Sequence, residues 1–256
     1  MQFVGIDYSG AQTAWTPLRG LQVYLTDHTG TTSKVEPPTS QWTRAAIATW
    51  LTTAIREQPE TIVGIDHCLG FPRAYHEQWG MPASWRVFAA DLRDHWPAHL
   101  PGVTIDMIRT GVVGAADQRS GSALWRRECE KRCGAKSVFH FDVPGSVAKS
   151  SFTGIPWALE LACAIPALHV WPFDGWIPPH GAPLLAECYP TLYRNRYDAE
   201  DRTADQHDAY SIARWLFDMH QSGQLGAYFK PPTDSELEVI CRVEGWILGV
   251  DEKTKA

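Results

Sequence analysis

With 256 residues, 44% of them hydrophobic and 20% charged, the chain has the composition of a soluble globular protein built as a single domain on one substantial core. No apolar run is long enough to span a bilayer, and the opening MQFVGIDYSG carries neither a basic flank nor a cleavage signal, so no membrane role and a cytoplasmic location are expected. The formal charge of −6 argues against broad, non-specific affinity for nucleic acid, which comes from cationic side chains displacing counterions, but it leaves room for a local basic surface.

QFVGID predicts a short apolar strand ending in an acid, Asp7, and LQVYLT and the SKVE region predict two more strands, together a three-stranded meander. From Ser40, a candidate N-cap, the residues Trp42, Ala46, Ile47, Trp50, Leu51, Ala54 and Ile55 recur at helical spacing until Pro59 ends the helix. TIVGID is then a second apolar strand ending in an acid, Asp66. This order predicts an α/β fold with a mixed central sheet, flanked by helices, in which a parallel strand pair brings Asp7 and Asp66 to one edge.

Residues from about 73 to 180 differ in texture, holding seven of the twelve tryptophans, and read as a long, mainly helical insertion within the single domain 1–256. Within it, helices are predicted over Ser84 to His99, Ala123 to Arg132 and Trp157 to Ala164, and a strand over ALHVWPF. PLLAECYP follows as a strand bearing Glu187. ADQHDAYSIARWLFDMH is a helix on which Asp208, Ile212, Trp215, Leu216 and Met219 share one face, with Asp205 a turn earlier on nearly the same side. SELEVICRVEGWILGV is the last helix candidate, with Leu237, Ile240, Cys241 and Ile247 facing the core, and DEKTKA reads as a frayed tail. The six cysteines are dispersed and read as reduced, mostly buried thiols; their spacing and that of the histidines do not fit a zinc site.

Two acids at the ends of apolar strands and a third on the inward face of a helix are expensive to bury ionised unless a basic side chain or a cation compensates them. A cluster of hard carboxylate oxygens suits Mg²⁺ or Mn²⁺, and two such ions activate water and stabilise the leaving oxygen of a displacement at phosphorus. The predicted metal set is Asp7, Asp66 and Asp208. Asp205 and Glu187 complete the list of candidate catalytic acids.

GIDYSG, GIDHCLGFP, AECYP, DQHDAYSIARW and the terminal EGWILGV resemble, in that order, the uncharacterised bacterial and archaeal family of predicted RNase H-like nucleases. DQHDAYSIA is also similar to the acidic helix of RuvC-type Holliday-junction resolvases. The resemblance covers most of the chain and implies an RNase H-like fold, in which Asp7 bridges two metal ions, Asp66 is the fourth-strand acid, and Asp205 and Asp208 are the paired acids of the final helix. Glu187 matches an acid common in the family. The Trp-rich insertion has no counterpart in the compact resolvases, so a branched-DNA substrate is not implied.

Plainer readings stand beside these. Asp7 and Asp66 also suit turns after strands, Asp205 suits an N-cap, and Glu187 suits a pairing with Arg194 or Arg196. His67 and His207 flank the acids, as proton carriers or as incidental polar neighbours. Residues 119 to 149 hold seven Lys or Arg against three Asp or Glu, 7 − 3 = +4, so Arg119, Arg126, Arg127, Lys131, Arg132 and Lys149 are candidate nucleic-acid contacts, with Trp125 and Phe139 as stacking partners. The same charges suit a solvated face of ion pairs, Glu128 with Lys131 among them.

The leading expectation is a divalent-metal-dependent nuclease or phosphodiesterase acting on DNA or RNA. One alternative is an actin-like or sugar-kinase-like ATP-binding phosphotransferase, suggested by GIDYSGAQT but lacking a second copy of the fold. The other is a noncatalytic nucleic-acid-binding scaffold.

Overall fold

A computed structural model describes residues 1–251, so 252–256 of the expected tail lie outside the described residues. Strands β1 (Gln2–Asp7), β2 (Gln22–Thr26) and β3 (Thr32–Lys34) form the antiparallel meander. Helix α1 (Arg44–Glu57) starts later than expected: Thr43, not Ser40, is its N-cap, with the Thr43 hydroxyl accepting from the Ala46 amide at 3.0 Å. Strand β4 (Thr61–Asp66) then runs parallel to β1, with Asp7 and Asp66 directly opposite each other.

Five helices fill the insertion: α2 (Arg73–Trp79), α3 (Trp85–His95), α4 (Ile105–Arg109), α5 (Glu128–Cys133) and α6 (Ala148–Ala164). The helix expected from Ala123 shortens to α5 because Arg127 is extended and serves as its cap, its amide donating to the Glu130 carboxylate at 2.9 Å. Conversely, α6 begins nine residues before Trp157. Gly154 and Pro156, poor helix formers, mask its first half in the sequence. Gly154 is required there, because a Cβ would lie 2.2 Å from Nε2 of His67.

Strands β5 (His169–Val170) and β6 (Leu184–Cys188) precede α7 (Ala204–Gln221), α8 (Leu225–Tyr228), α9 (Ser235–Glu244) and β7 (Ile247–Leu248). Only two residues of ALHVWPF are strand, and Ile247 belongs to β7 rather than to the last helix. The result is a mixed seven-stranded sheet in the order β3-β2-β1-β4-β6-β5. β5 and β7 share one side of β6, pairing with Leu184 and Leu185 and with Glu187 and Cys188 respectively.

Strand alternation divides the core in two. Val4, Ile6, Val63, Ile65 and Leu185 point to a cluster with α1, α3 and α6, which the insertion joins through Phe152, Ile155 and Leu159. Phe3, Ile62, Leu184, Ala186 and Cys188 point to the opposite cluster, built on Ile212, Trp215 and Leu216 of α7. Between these apolar rows, the paired Gly5 and Gly64 let α7 settle onto the sheet. A Cβ on Gly5 would lie 2.1 Å from the Ala209 carbonyl oxygen, and one on Gly64 would lie 2.4 Å from Ile212.

The glycines of the two GID segments therefore set the height of the acid-bearing helix above the acid-bearing strands. Gly5→Ala, which meets backbone and cannot be relieved by a rotamer change, is expected to lose about 2–4 kcal/mol of stability, the upper end of overpacking penalties. A denaturant midpoint within experimental error of the wild type would refute this close approach.

Candidate functional site

Asp7 and Asp66 end adjacent parallel strands in register, and their side chains project on the α7 side, the face of Gly5 and Gly64. Asp208 comes to them from α7, one residue before the fully buried Ala209. Asp205, one turn earlier, is not the cap: Thr203 is, in a capping box with Gln206, which leaves the Asp205 carboxylate free to face the loop after β1. A Cβ on Gly20 of that loop would lie 3.7 Å from Asp205 Oδ2.

The four acids sense one another. Burial, reinforced by the charges of Asp66, Asp205 and Asp208, pushes the Asp7 carboxyl up to about 9. Burial together with Asp208 and Glu187 raises Asp66 to about 8, against the pull of Arg194. Asp208 is raised by burial and lowered by Arg194, whose Nη1 lies 3.2 Å from each of its carboxylate oxygens. Arg194, on the short 3₁₀ turn Arg194–Arg196, is thus the cation that partners this cluster.

Glu187, whose charge reaches Asp66, is on the other face of the sheet. Its register partner is Ile65, so it projects to the face opposite Asp7 and Asp66. There Arg127 grips it with two nitrogens, Nη1 to Oε2 at 2.7 Å and Nη2 to Oε1 at 2.6 Å, and the Leu69 amide donates to Oε2 at 3.2 Å. Burial raises the Glu187 carboxyl and Arg127 pulls it back. This is the structural pairing that the sequence left open for Glu187, with Arg127 as partner in place of Arg194 or Arg196.

Arg127 is accordingly not a nucleic-acid contact: its side chain is 0% exposed, with Nε on Glu130 at 2.8 Å. The rest of the basic stretch is mostly paired as well. Arg119 is held by Asp91, Lys131 by Glu128 and Lys149 by Asp106, Arg126 donates to the Glu130 carbonyl, and Arg132 lies over the Trp246 ring. Phe139 is buried in the core and Trp125 packs against it, which removes the first from any stacking role on bases.

His67, 1% exposed, is held near 4 by burial, with Nδ1 2.8 Å from the Cys68 carbonyl and its ring against Tyr8. Burial thus favours the neutral imidazole at pH 7. His207 Nε2 lies 3.1 Å from the Arg194 carbonyl, so it ties the turn bearing Arg194 to α7.

Scans of protein-family models, curated proteins and solved structures found no match to this chain.

Arg44 escaped the sequence reading, and Arg194 entered it only as a candidate partner of Glu187. Arg44 donates from Nη1 to the Ser9 and Ala11 carbonyls at 3.0 and 2.7 Å, and from Nη2 to Gln12 at 3.0 Å, which pins the loop that leaves Asp7. The signal was available, since a cation in the first turn of a helix is unfavourable unless something else holds it. The pairing of Arg194 with Asp208 gave no such signal, because it depends on how the 3₁₀ turn folds back onto α7. An open pocket is lined by both Asp66 and Glu187, together with Arg127, Glu130, Lys136 and Val147.

All four clustered acids offer hard oxygen donors, the chemistry that Mg²⁺ or Mn²⁺ prefers. Among the described residues, no group of three His, Cys, Asp or Glu side chains is arranged to hold a metal ion.

Proposed function

We propose that this protein is an RNase H-like, divalent-metal-dependent nuclease or phosphodiesterase in which Asp7, Asp66 and Asp208 hold Mg²⁺ or Mn²⁺, with Asp205 at the rim. One observation carries the reading: two half-buried carboxylates sit in register at the carboxyl ends of neighbouring parallel strands, facing a helix that brings two more. Their raised proton affinities express a shortage of positive charge, which one half-exposed arginine only partly meets. The strand order β3-β2-β1-β4 with α7 across it also supports the RNase H-like assignment.

Divalent ions at such a site supply an activated water and charge stabilisation for the departing oxygen. The chain's own residues have three tasks. The β1 and β4 termini fix the separation of Asp7 and Asp66, Arg44 holds the loop beyond Asp7, and α7 delivers Asp208 to their shared face. Nucleic acid is the proposed substrate, and DNA against RNA is decided by experiment.

The test is a Mn²⁺ titration by calorimetry, paired with a cleavage panel of single- and double-stranded DNA and RNA with and without EDTA. Binding that strengthens as pH rises from about 6 to 9, with proton release, is expected because Asp7 and Asp66 must lose protons to bind. No Mn²⁺ heat and no EDTA-sensitive cleavage would end the proposal, and tight ATP binding in the same assay would redirect it to phosphotransfer.

A further inference from the structure

Two arginine–carboxylate pairs in this molecule differ in kind. Arg127 meets Glu187 through both terminal nitrogens at 2.7 and 2.6 Å, with both side chains buried, which is a permanent structural pair. Arg194 meets Asp208 through Nη1 alone, 3.2 Å from each oxygen, with the arginine side chain 41% exposed. Such a long, single-nitrogen and half-solvated pair is weak and exchangeable.

Its backbone, by contrast, is fixed. The Arg194 carbonyl lies 3.1 Å from His207 Nε2, and His207 immediately precedes Asp208 on α7. The backbone from which the guanidinium extends is thereby tied to the turn of α7 that carries Asp208.

From this we infer that Arg194 is a phosphodiester-contacting residue, kept at the site by Asp208 until a divalent cation takes that carboxylate. The inference rests on the metal-site reading. A divalent ion and a guanidinium compete for the same two oxygens of Asp208, so the arrival of one releases the other. The released guanidinium is anchored within reach of the site, carries planar donors that match a phosphate, and would face the anion that the bound ions attract. No bond is made or broken in this exchange.

Arg194→Gln removes the charge at a half-exposed position and is expected to leave the melting temperature nearly unchanged. Calorimetry with Mn²⁺ alone is expected to show roughly fivefold tighter binding in Arg194→Gln than in the wild type, because the competitor for Asp208 is gone. With Ca²⁺ in place of Mn²⁺ to slow turnover, short single-stranded DNA and RNA oligonucleotides are expected to bind the variant about tenfold more weakly, the loss of one charge-assisted contact.

Equal Mn²⁺ affinity in the two proteins would overturn the exchange while leaving the metal site intact. Unchanged oligonucleotide affinity, or none in the metal-loaded wild type, would overturn the phosphodiester contact. No Mn²⁺ binding by either protein would overturn this inference and the metal site together.

Discussion

Asp7→Asn is expected to abolish metal-dependent cleavage, by roughly 10³-fold or more, while leaving a folded protein. Asp7 ends the strand at the centre of the acid cluster, in register with Asp66 and under the influence of Asp205 and Asp208. An amide there keeps the shape but lacks the anionic oxygen that a divalent ion requires, and the ion's contribution to transition-state stabilisation amounts to several kcal/mol. Unaltered turnover in the variant would remove Asp7 from the mechanism.

The same variant makes a stability prediction of opposite sign. The folded state raises the Asp7 carboxyl from an ordinary value of 3.8 to about 9, so between these values the folded chain holds a proton that the unfolded chain has lost. By linkage, the stability that this group contributes is complete below about pH 4 and disappears as pH rises toward 9. Without divalent ions, Asp7→Asn should therefore melt at a higher temperature than the wild type, by about 2–4 °C or more at pH 8. The advantage should shrink toward pH 4. Parallel melting curves at pH 5 and 8, with EDTA, would show it, and a gap that is constant with pH would refute the burial of a titrating Asp7.

Replacing Arg127 is expected to produce the largest loss of stability. Its guanidinium holds Glu187 with two nitrogens and Glu130 with a third, all out of solvent, and Nη2 also lies 3.0 Å from Cys68 Sγ. Arg127→Met strands two buried carboxylates. Breaking a buried pair in this way costs about 3–5 kcal/mol, mostly through the charges left behind. Urea unfolding measures the loss, and a change below about 1 kcal/mol would mean that the network is not closed to water.

Glu187→Gln tests function apart from stability. Because Glu187 lies on the sheet face opposite Asp7 and Asp66, cleavage by the folded variant is expected to stay within a few-fold of the wild type. A loss as deep as that of Asp7→Asn would return Glu187 to the acid site.

The linear order of residues determined much of this protein by itself. Apolar runs closed by Asp7 and Asp66 and separated by two meander strands and one amphipathic helix point to a parallel pair with both acids at one end. The 3.6-residue period of α7 puts Asp208 in line with Ile212, Trp215 and Leu216. Boundaries were less legible: Gly154 and Pro156 concealed half of α6, and Thr43 took the capping role that Ser40 also suited.

What only the tertiary structure decided was the partner of each charge. Local spacing matched Glu187 with Arg194 or Arg196, yet strand alternation turned it to the other face, where Arg127 arrives from the insertion. Arg127 looked in sequence like one member of a basic surface, and Arg194 like a partner for a neighbouring strand. The physical reason is that periodicity fixes which face of an element a side chain occupies, whereas an ion pair depends on which distant faces the packing brings within a few ångströms.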